Sequence, residues 1–170
     1  MKIRESVPED REALEKLYSA AFPDEPLWPL VTVLLECDGV RSLMAKQSGS
    51  VLGHCFFTPC TVAGYEAPVA LLGPLAVMPN RQRRGIGGRL VEAGIKQLAE
   101  AGFTHLFVLG DPAYYGRFGF QPDDSVTPPY VLPEAWTEAW RSLPLRQDVP
   151  PIAGTLSVPT PWQDVALWRE

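Results

Sequence analysis

The chain changes hydrophobic period several times, and each change marks an element. Near the N-terminus, Ile3-Arg4-Glu5 is a short strand signal, and Leu14, Leu17, Tyr18 and Ala21 then recur at the spacing of one helix face. Pro8-Glu9-Asp10 places a proline and acidic groups at the first turn of that helix, where the macrodipole favours them. A second helical period passes through Trp28, Leu30, Val31, Leu34 and Leu35 and ends near Asp38-Gly39, where glycine takes a left-handed cap. Pro23, Pro26 and Pro29 make the link between the two helices irregular.

From Val40 the pattern is that of strands. Leu43 to Lys46 and Val51 to Phe57 flank Gln47-Ser48-Gly49-Ser50, a hairpin turn, and the second run continues toward Val62 and turns at Ala63-Gly64. The next strand, Val69 to Val77, contains Gly73-Pro74. A proline cannot donate to a sheet ladder, so pairing breaks or bulges there. After Pro79 comes the turn Arg81-Gln82-Arg83-Arg84-Gly85-Ile86-Gly87-Gly88, which opens a helix from Gly85 to about Ala101. Its apolar stripe is Ile86, Leu90, Gly94 or Ile95, and Leu98. Gly102 ends it, and His105 to Leu109 reads as an interior strand beside a parallel neighbour, reached by a right-handed crossover. Asp111, Pro112 and Gly119 then cap, start and stop a short helix of about two turns. Beyond the proline-rich stretch after Phe120, Pro133 to Leu143 reads as an amphipathic helix with Trp136 and Trp140 one turn apart, and Gly154 to Val158 as a final strand.

Composition narrows the function. A chain of 170 residues suffices for one domain with a substantial core. A net charge of −5 argues against a general binder of nucleic acid or anionic membrane, which needs a broad basic surface. There is no apolar leader and no run of membrane-spanning length, so a soluble cytoplasmic protein is expected. Cys37, Cys55 and Cys60 lack Cys-x-x-Cys spacing, which implies free, mostly buried thiols and neither disulfide nor zinc.

The local concentration of Arg81, Arg83, Arg84 and Arg89 around a glycine-rich helix start therefore reads as an anion site. The first amides of a helix have no intrahelical acceptor, and glycines let a phosphate approach the backbone closely. No Gly-Lys-Ser/Thr ending is present, and Leu90 stands where a dinucleotide fingerprint needs its third glycine. What remains is Gln82-x-x-Gly85-x-Gly87, shortly after Val77-x-Pro79.

That pattern resembles the GNAT superfamily of acyl-CoA-dependent N-acetyltransferases, whose pyrophosphate loop reads Gln/Arg-x-x-Gly-x-Gly/Ala. Tyr115, Gly119 and Phe120 match the family ending Tyr-x-x-x-Gly-Phe, and the string from Gly110 to Phe120 is similar to the bacterial YhbS-like subfamily. Val108 departs from the pattern, standing where the family carries an Asn seven residues before the tyrosine.

The resemblance implies an α/β (α+β) fold, with a mixed, mostly antiparallel sheet, splayed fourth and fifth strands and flanking helices, in a single domain over residues 1–170. It implies acetyl-CoA as co-substrate, an amine acceptor and no metal, in a monomer or homodimer that engages neither nucleic acid nor membrane. Leu75, Ala76, Val77, Gln82, Arg83, Arg84, Gly85, Ile86, Gly87, Gly88, Arg89 and Tyr115 would bind the cofactor, the amide of Val77 or its immediate neighbour polarising the acetyl carbonyl. Tyr115 would be the catalytic acid that protonates the departing thiolate.

The general base stays open. Gly73-Pro74 occupies the place of the carboxylate that many relatives carry on the fourth strand. His54, His105, and Glu66 or Asp111 through water are candidates, and an amine that deprotonates in solvent before binding needs none. The alternative class is a catalytically idle acyl-CoA-binding or sensing module.

Overall fold

The hairpin predicted at Gln47 to Ser50 forms because Ser48 (φ +52) and Gly49 (φ +80) both occupy the left-handed region, as a two-residue turn with the right twist demands. It joins β2 (Arg41–Gln47) to β3 (Ser50–Val62), pairing Met44 with His54 and Ser42 with Phe56. A computed structural model describes residues 1–169, which form two compact units: Met1–Thr58 with Gly73–Lys96, and Pro59–Leu72 with the described chain from Gln97 onward.

In the first unit, β1 (Lys2–Glu5) pairs antiparallel with β2. Helix α1 (Arg11–Ala21) follows a single 3-10 turn at Pro8–Asp10 and buries Leu14, Leu17 and Tyr18, the face its spacing predicts. Asp10 ties that turn to β1: Arg4 donates to both carboxylate oxygens at 2.8 and 3.0 Å, and the Val7 amide donates at 2.7 Å. Helix α2 (Trp28–Glu36) buries Leu30, Val31 and Leu34. β4 (Tyr65–Val77) supplies its end from Gly73 to this unit, and α3 (Ile86–Glu100) its first three turns. On α3 the buried position falls to Gly94, where a β-carbon would enter the ring of Phe57.

In the second unit, the start of β4 pairs parallel with β5 (His105–Leu109) from Val69–His105 to Leu72–Val108, and that register goes no further. It stops at Gly73-Pro74, where the sequence requires a break. Helix α4 (Pro112–Gly116) is capped by Asp111, whose carboxylate accepts from the Ala113 amide at 3.0 Å. With five residues it is shorter than the two turns expected. β6 (Gln121–Pro122), β7 (Val126–Thr127), β8 (Trp140–Pro144) and β9 (Gly154–Ser157) complete the unit. β8 lies between β5 and β6, antiparallel to both, while β9 pairs with the end of β3 and parallel to β7. The architecture is the mixed, mostly antiparallel α/β fold that the sequence implies.

The segment from Pro133 corrects one expectation. It is a 3-10 turn at Glu134–Ala139 followed by strand β8, not a helix to Leu143. The unpaired edge of β5 accepts Trp140 to Pro144 as a ladder partner, and this pairing overrides the helical spacing of the two tryptophans. Trp140 goes into the core, stacked on Phe107 at 5.6 Å and donating its indole N–H to Val126 at 2.7 Å. Cys55 and Cys60 are buried, as expected, and Cys37 is half-buried. No helix among the described residues is long and apolar enough to cross a membrane.

Candidate active site

The basic, glycine-rich turn lies where β4 gives way to α3. A 3-10 turn at Pro79–Arg81 ends the strand, with the Arg81 amide donating to Met78 at 2.8 Å. Gln82 then takes an extended backbone and donates its side-chain amide to the Val77 carbonyl at 3.2 Å, fastening the loop to the strand end. Arg83 (φ +63) and Gly85 (φ +82) are both left-handed, so the backbone curls before α3 begins at Ile86. The first intrahelical bond there runs from the Arg89 amide to Gly85 at 3.0 Å. The amides of Ile86, Gly87 and Gly88 precede it and have no acceptor within the helix, which is the donor array an anion requires.

Leu75, Ala76 and Val77 continue as strand directly before this turn, with Ala76 buried and its two neighbours half-buried. The Met78 amide donates to Leu52 on β3 at 2.9 Å. The approach of β3, β4 and α3 is close because Gly53 has no side chain. A β-carbon on it would lie 3.0 Å from the Ala76 carbonyl and 3.1 Å from both Ile86 and Leu90. Gln82, Arg83, Arg84 and Arg89 are exposed, so three arginines adjoin the amides along the chain with their side chains open to solvent. All the predicted cofactor residues except Tyr115 thus fall within one continuous strand-turn-helix segment, Leu75 to Arg89, of the first unit.

Tyr115 lies in α4 of the second unit. It is buried, with its ring edge against Tyr114 and Phe120 at 5.0 and 5.7 Å.

The candidate bases meet different fates. His54 is fully buried, its Nδ1 2.7 Å from the Tyr18 hydroxyl and its Nε2 2.7 Å from Ser42 Oγ. Burial pulls its pKa down to about 3, so the ring is neutral at physiological pH. His105 is also buried, bonded through Nδ1 to Thr104 at 2.9 Å, and burial again lowers its pKa. Asp111 is engaged as the cap of α4, and Glu66 is exposed on β4. Among the described residues, no group of three or more His, Cys, Asp or Glu side chains is placed to hold a metal ion. The bonds from Tyr18 and Ser42 to His54 link positions 36 and 12 residues apart, and no sequence spacing announces them.

A family model described as the acetyltransferase (GNAT) family matches residues 11–120. The chain belongs to this family. It is 34% identical over 166 residues to an uncharacterized N-acetyltransferase of Escherichia coli K12, YjhQ, covering 93% of this chain and 92% of that one. The crystal structure of the GNAT acetyltransferase YhbS from E. coli, in complex with CoA, superposes with a TM-score of 0.86 at 27% identity, over 96% of this chain and 92% of that one. A GNAT acetyltransferase of Brucella melitensis, in complex with acetyl-CoA, gives a TM-score of 0.75 at 31% identity, over 95% and 97% of the two chains. The family match spans both the loop at Gln82 to Gly88 and the Tyr115–Phe120 ending.

Proposed function

We propose that this chain, acting as one acetyltransferase domain, moves an acetyl group from acetyl-CoA to a primary amine by direct attack. The observation that carries the reading is the start of α3, where left-handed Arg83 and Gly85 leave three helix amides without an intrahelical acceptor, with exposed Arg83, Arg84 and Arg89 adjoining them along the chain. A pyrophosphate suits this donor set, and two structures similar to the chain were solved with CoA or acetyl-CoA.

In this reading the amides from Arg83 to Gly88 hold the pyrophosphate, with Gln82, Arg83, Arg84 and Arg89 supporting them. Leu75 to Val77 carry the acyl arm, and the Val77 amide stabilises the oxyanion as the amine adds to the carbonyl. Tyr115 donates its proton to the leaving sulfur. With an ordinary value of about 10 a tyrosine is protonated at neutral pH, and a thiolate of pKa about 8.5 needs only modest help to depart. No free carboxylate or titrating histidine is at hand on β3 or the end of β4, so the amine enters already neutral.

The test is thiol release from acetyl-CoA by the purified protein, with and without a pool of primary amines. Amine-dependent release is expected. CoA binding without any amine-dependent release would instead mark an acyl-CoA-binding module.

A further inference from the structure

Four side chains in the first unit form an unbroken hydrogen-bonded file. Ser6 Oγ lies 2.5 Å from Ser42 Oγ, which lies 2.7 Å from His54 Nε2, and His54 Nδ1 lies 2.7 Å from the Tyr18 hydroxyl. The Tyr18 hydroxyl also faces the Pro74 carbonyl at a longer 3.4 Å. His54 and Tyr18 are almost completely buried, whereas Ser42 and Ser6 are half-buried, so the file runs from the interior toward the surface. Its inner end lies beside β4, three residues before Val77, and Tyr18 lines a cavity of about 240 Å³ together with Phe22, Asp24, Glu25, Pro26 and Trp28.

Each member is both donor and acceptor, which gives the file two self-consistent directions. In one, Tyr18 donates to Nδ1, Nε2–H donates to Ser42, and Ser42 donates to Ser6. In the other every bond reverses, and Tyr18 donates to the Pro74 carbonyl. A neutral imidazole bonded to hydroxyls through both nitrogens accepts a proton at one as it releases the proton at the other.

We propose that Tyr18, His54, Ser42 and Ser6 are a proton-conducting file that carries the amine's proton from the acylation site to solvent. The inference rests on the acetyl-transfer reading above. Attack by a neutral amine forms the new C–N bond and leaves that nitrogen positively charged, with one proton too many for an amide. That proton passes to the Tyr18 oxygen as the phenolic proton moves to His54 Nδ1. The Nε2 proton moves to Ser42, the Ser42 proton to Ser6, and the Ser6 proton to water. The C–S bond then breaks with its electron pair on sulfur, which takes a separate proton from Tyr115. The transfers are concerted, because burial disfavours both an imidazolium at His54 and a phenolate at Tyr18. The file thereby fills the role left vacant by the missing carboxylate on the fourth strand, without a residue that titrates near neutrality.

The chain has two histidines, so [¹⁵N]histidine labelling yields one ring pair for each and makes the test direct. A conducting file holds both directions in exchange. The Nδ1 and Nε2 signals of His54 should therefore be averaged between protonated and bare nitrogen. Ser42→Ala should collapse them to a single tautomer with the proton on Nδ1, since Nε2 then has no partner. Ser42→Thr, which restores a hydroxyl, should recover the averaged signals. Ser6→Ala cuts only the outer link and should slow exchange of the His54 ring proton with water by at least about tenfold, keeping the result readable if Ser42→Ala fails to fold. A single fixed tautomer in the unaltered protein, or exchange indifferent to Ser6→Ala, would overturn the proposal. CoA titration of the same samples separates the two readings: normal CoA affinity with a fixed His54 tautomer rejects the file alone, whereas absence of CoA binding by the unaltered protein rejects the acetyl-transfer reading.

Discussion

The ring of Tyr115 fills the space in which a side chain on Gly110 would begin: a β-carbon there would sit 2.9 Å from Cδ2 and closer still to Cε2. Gly110 follows β5 directly, and its amide is fixed to Ala139 at 3.0 Å, so the backbone cannot withdraw freely. The aromatic ring must therefore turn if a methyl group is added. Gly110→Ala is expected to lower turnover by about tenfold or more by displacing Tyr115, the proposed acid, with CoA affinity little changed. Tyr115→Phe, which keeps the ring and removes only the hydroxyl, should lower turnover by roughly 10²-fold. Steady-state kinetics beside CoA titration check both variants, and unchanged turnover in Tyr115→Phe, with chemistry rate-limiting, would return Tyr115 to a packing role.

The turn that enters α3, proposed to hold the pyrophosphate, carries a separate prediction. Nothing lies within 4 Å of a β-carbon built on Gly85, so the site has room for a side chain, but its φ of +82 does not suit one. Gly85→Ala should cost about 1–2 kcal/mol of stability from left-handed strain alone. Gly85→Glu should in addition place a carboxylate beside the free amides of α3 and weaken CoA binding strongly. Calorimetric titration of CoA into the folded variant measures this, and unchanged affinity would remove the pyrophosphate from that turn.

Acid should destabilise the fold in a defined order. His54 ordinarily titrates at 6.5 but in the folded chain only near 3, so between these values the unfolded state binds more protons. The unfolding free energy therefore falls as pH drops through this window, at up to about 1.4 kcal/mol per pH unit from this residue. His105, lowered in the same direction, adds to the slope. Asp10 is held below its ordinary 3.8 by the Arg4 guanidinium and contributes only under that value, where protonation ends the pair. Urea unfolding at several pH values is expected to show a slope between about pH 6 and pH 4 that His54→Gln reduces. A flat dependence in the unaltered protein would show that His54 titrates normally when folded.

The features legible in the sequence are those built from neighbours along the chain. The hairpin at Ser48-Gly49, the strand that breaks at Gly73-Pro74 and the basic turn entering α3 each depend on a few consecutive residues whose backbone preferences agree. Arg83 was legible as a charge but not as a left-handed residue, because no glycine marks it. The file from Ser6 to Tyr18 was invisible, since it exists only once β1, β2, β3 and α1 have assembled. His54 in isolation reads as one polar residue in an apolar strand. Trp140 shows the opposite error: its spacing from Trp136 fits a helix, and only the open edge of β5 makes it a strand residue.

The pH dependence of catalysis distinguishes the possible bases. With His54 held neutral, kcat/KM is expected to show no inflection near 6 to 7 that belongs to the protein. Its rise should instead follow the pKa of the amine and move when a second amine of different pKa is used. An inflection fixed across two amines and lost in His54→Gln would make His54 an ordinary general base.

Transfer of the acetyl group to nitrogen is tested most plainly by following the acetyl carbon itself. With [1-¹³C]acetyl-CoA and a pool of primary amines, label is expected in an amide carbonyl, in one-to-one proportion with the thiol released. Label that stays on CoA, or appears only as free acetate, while the protein binds CoA tightly, would contradict it.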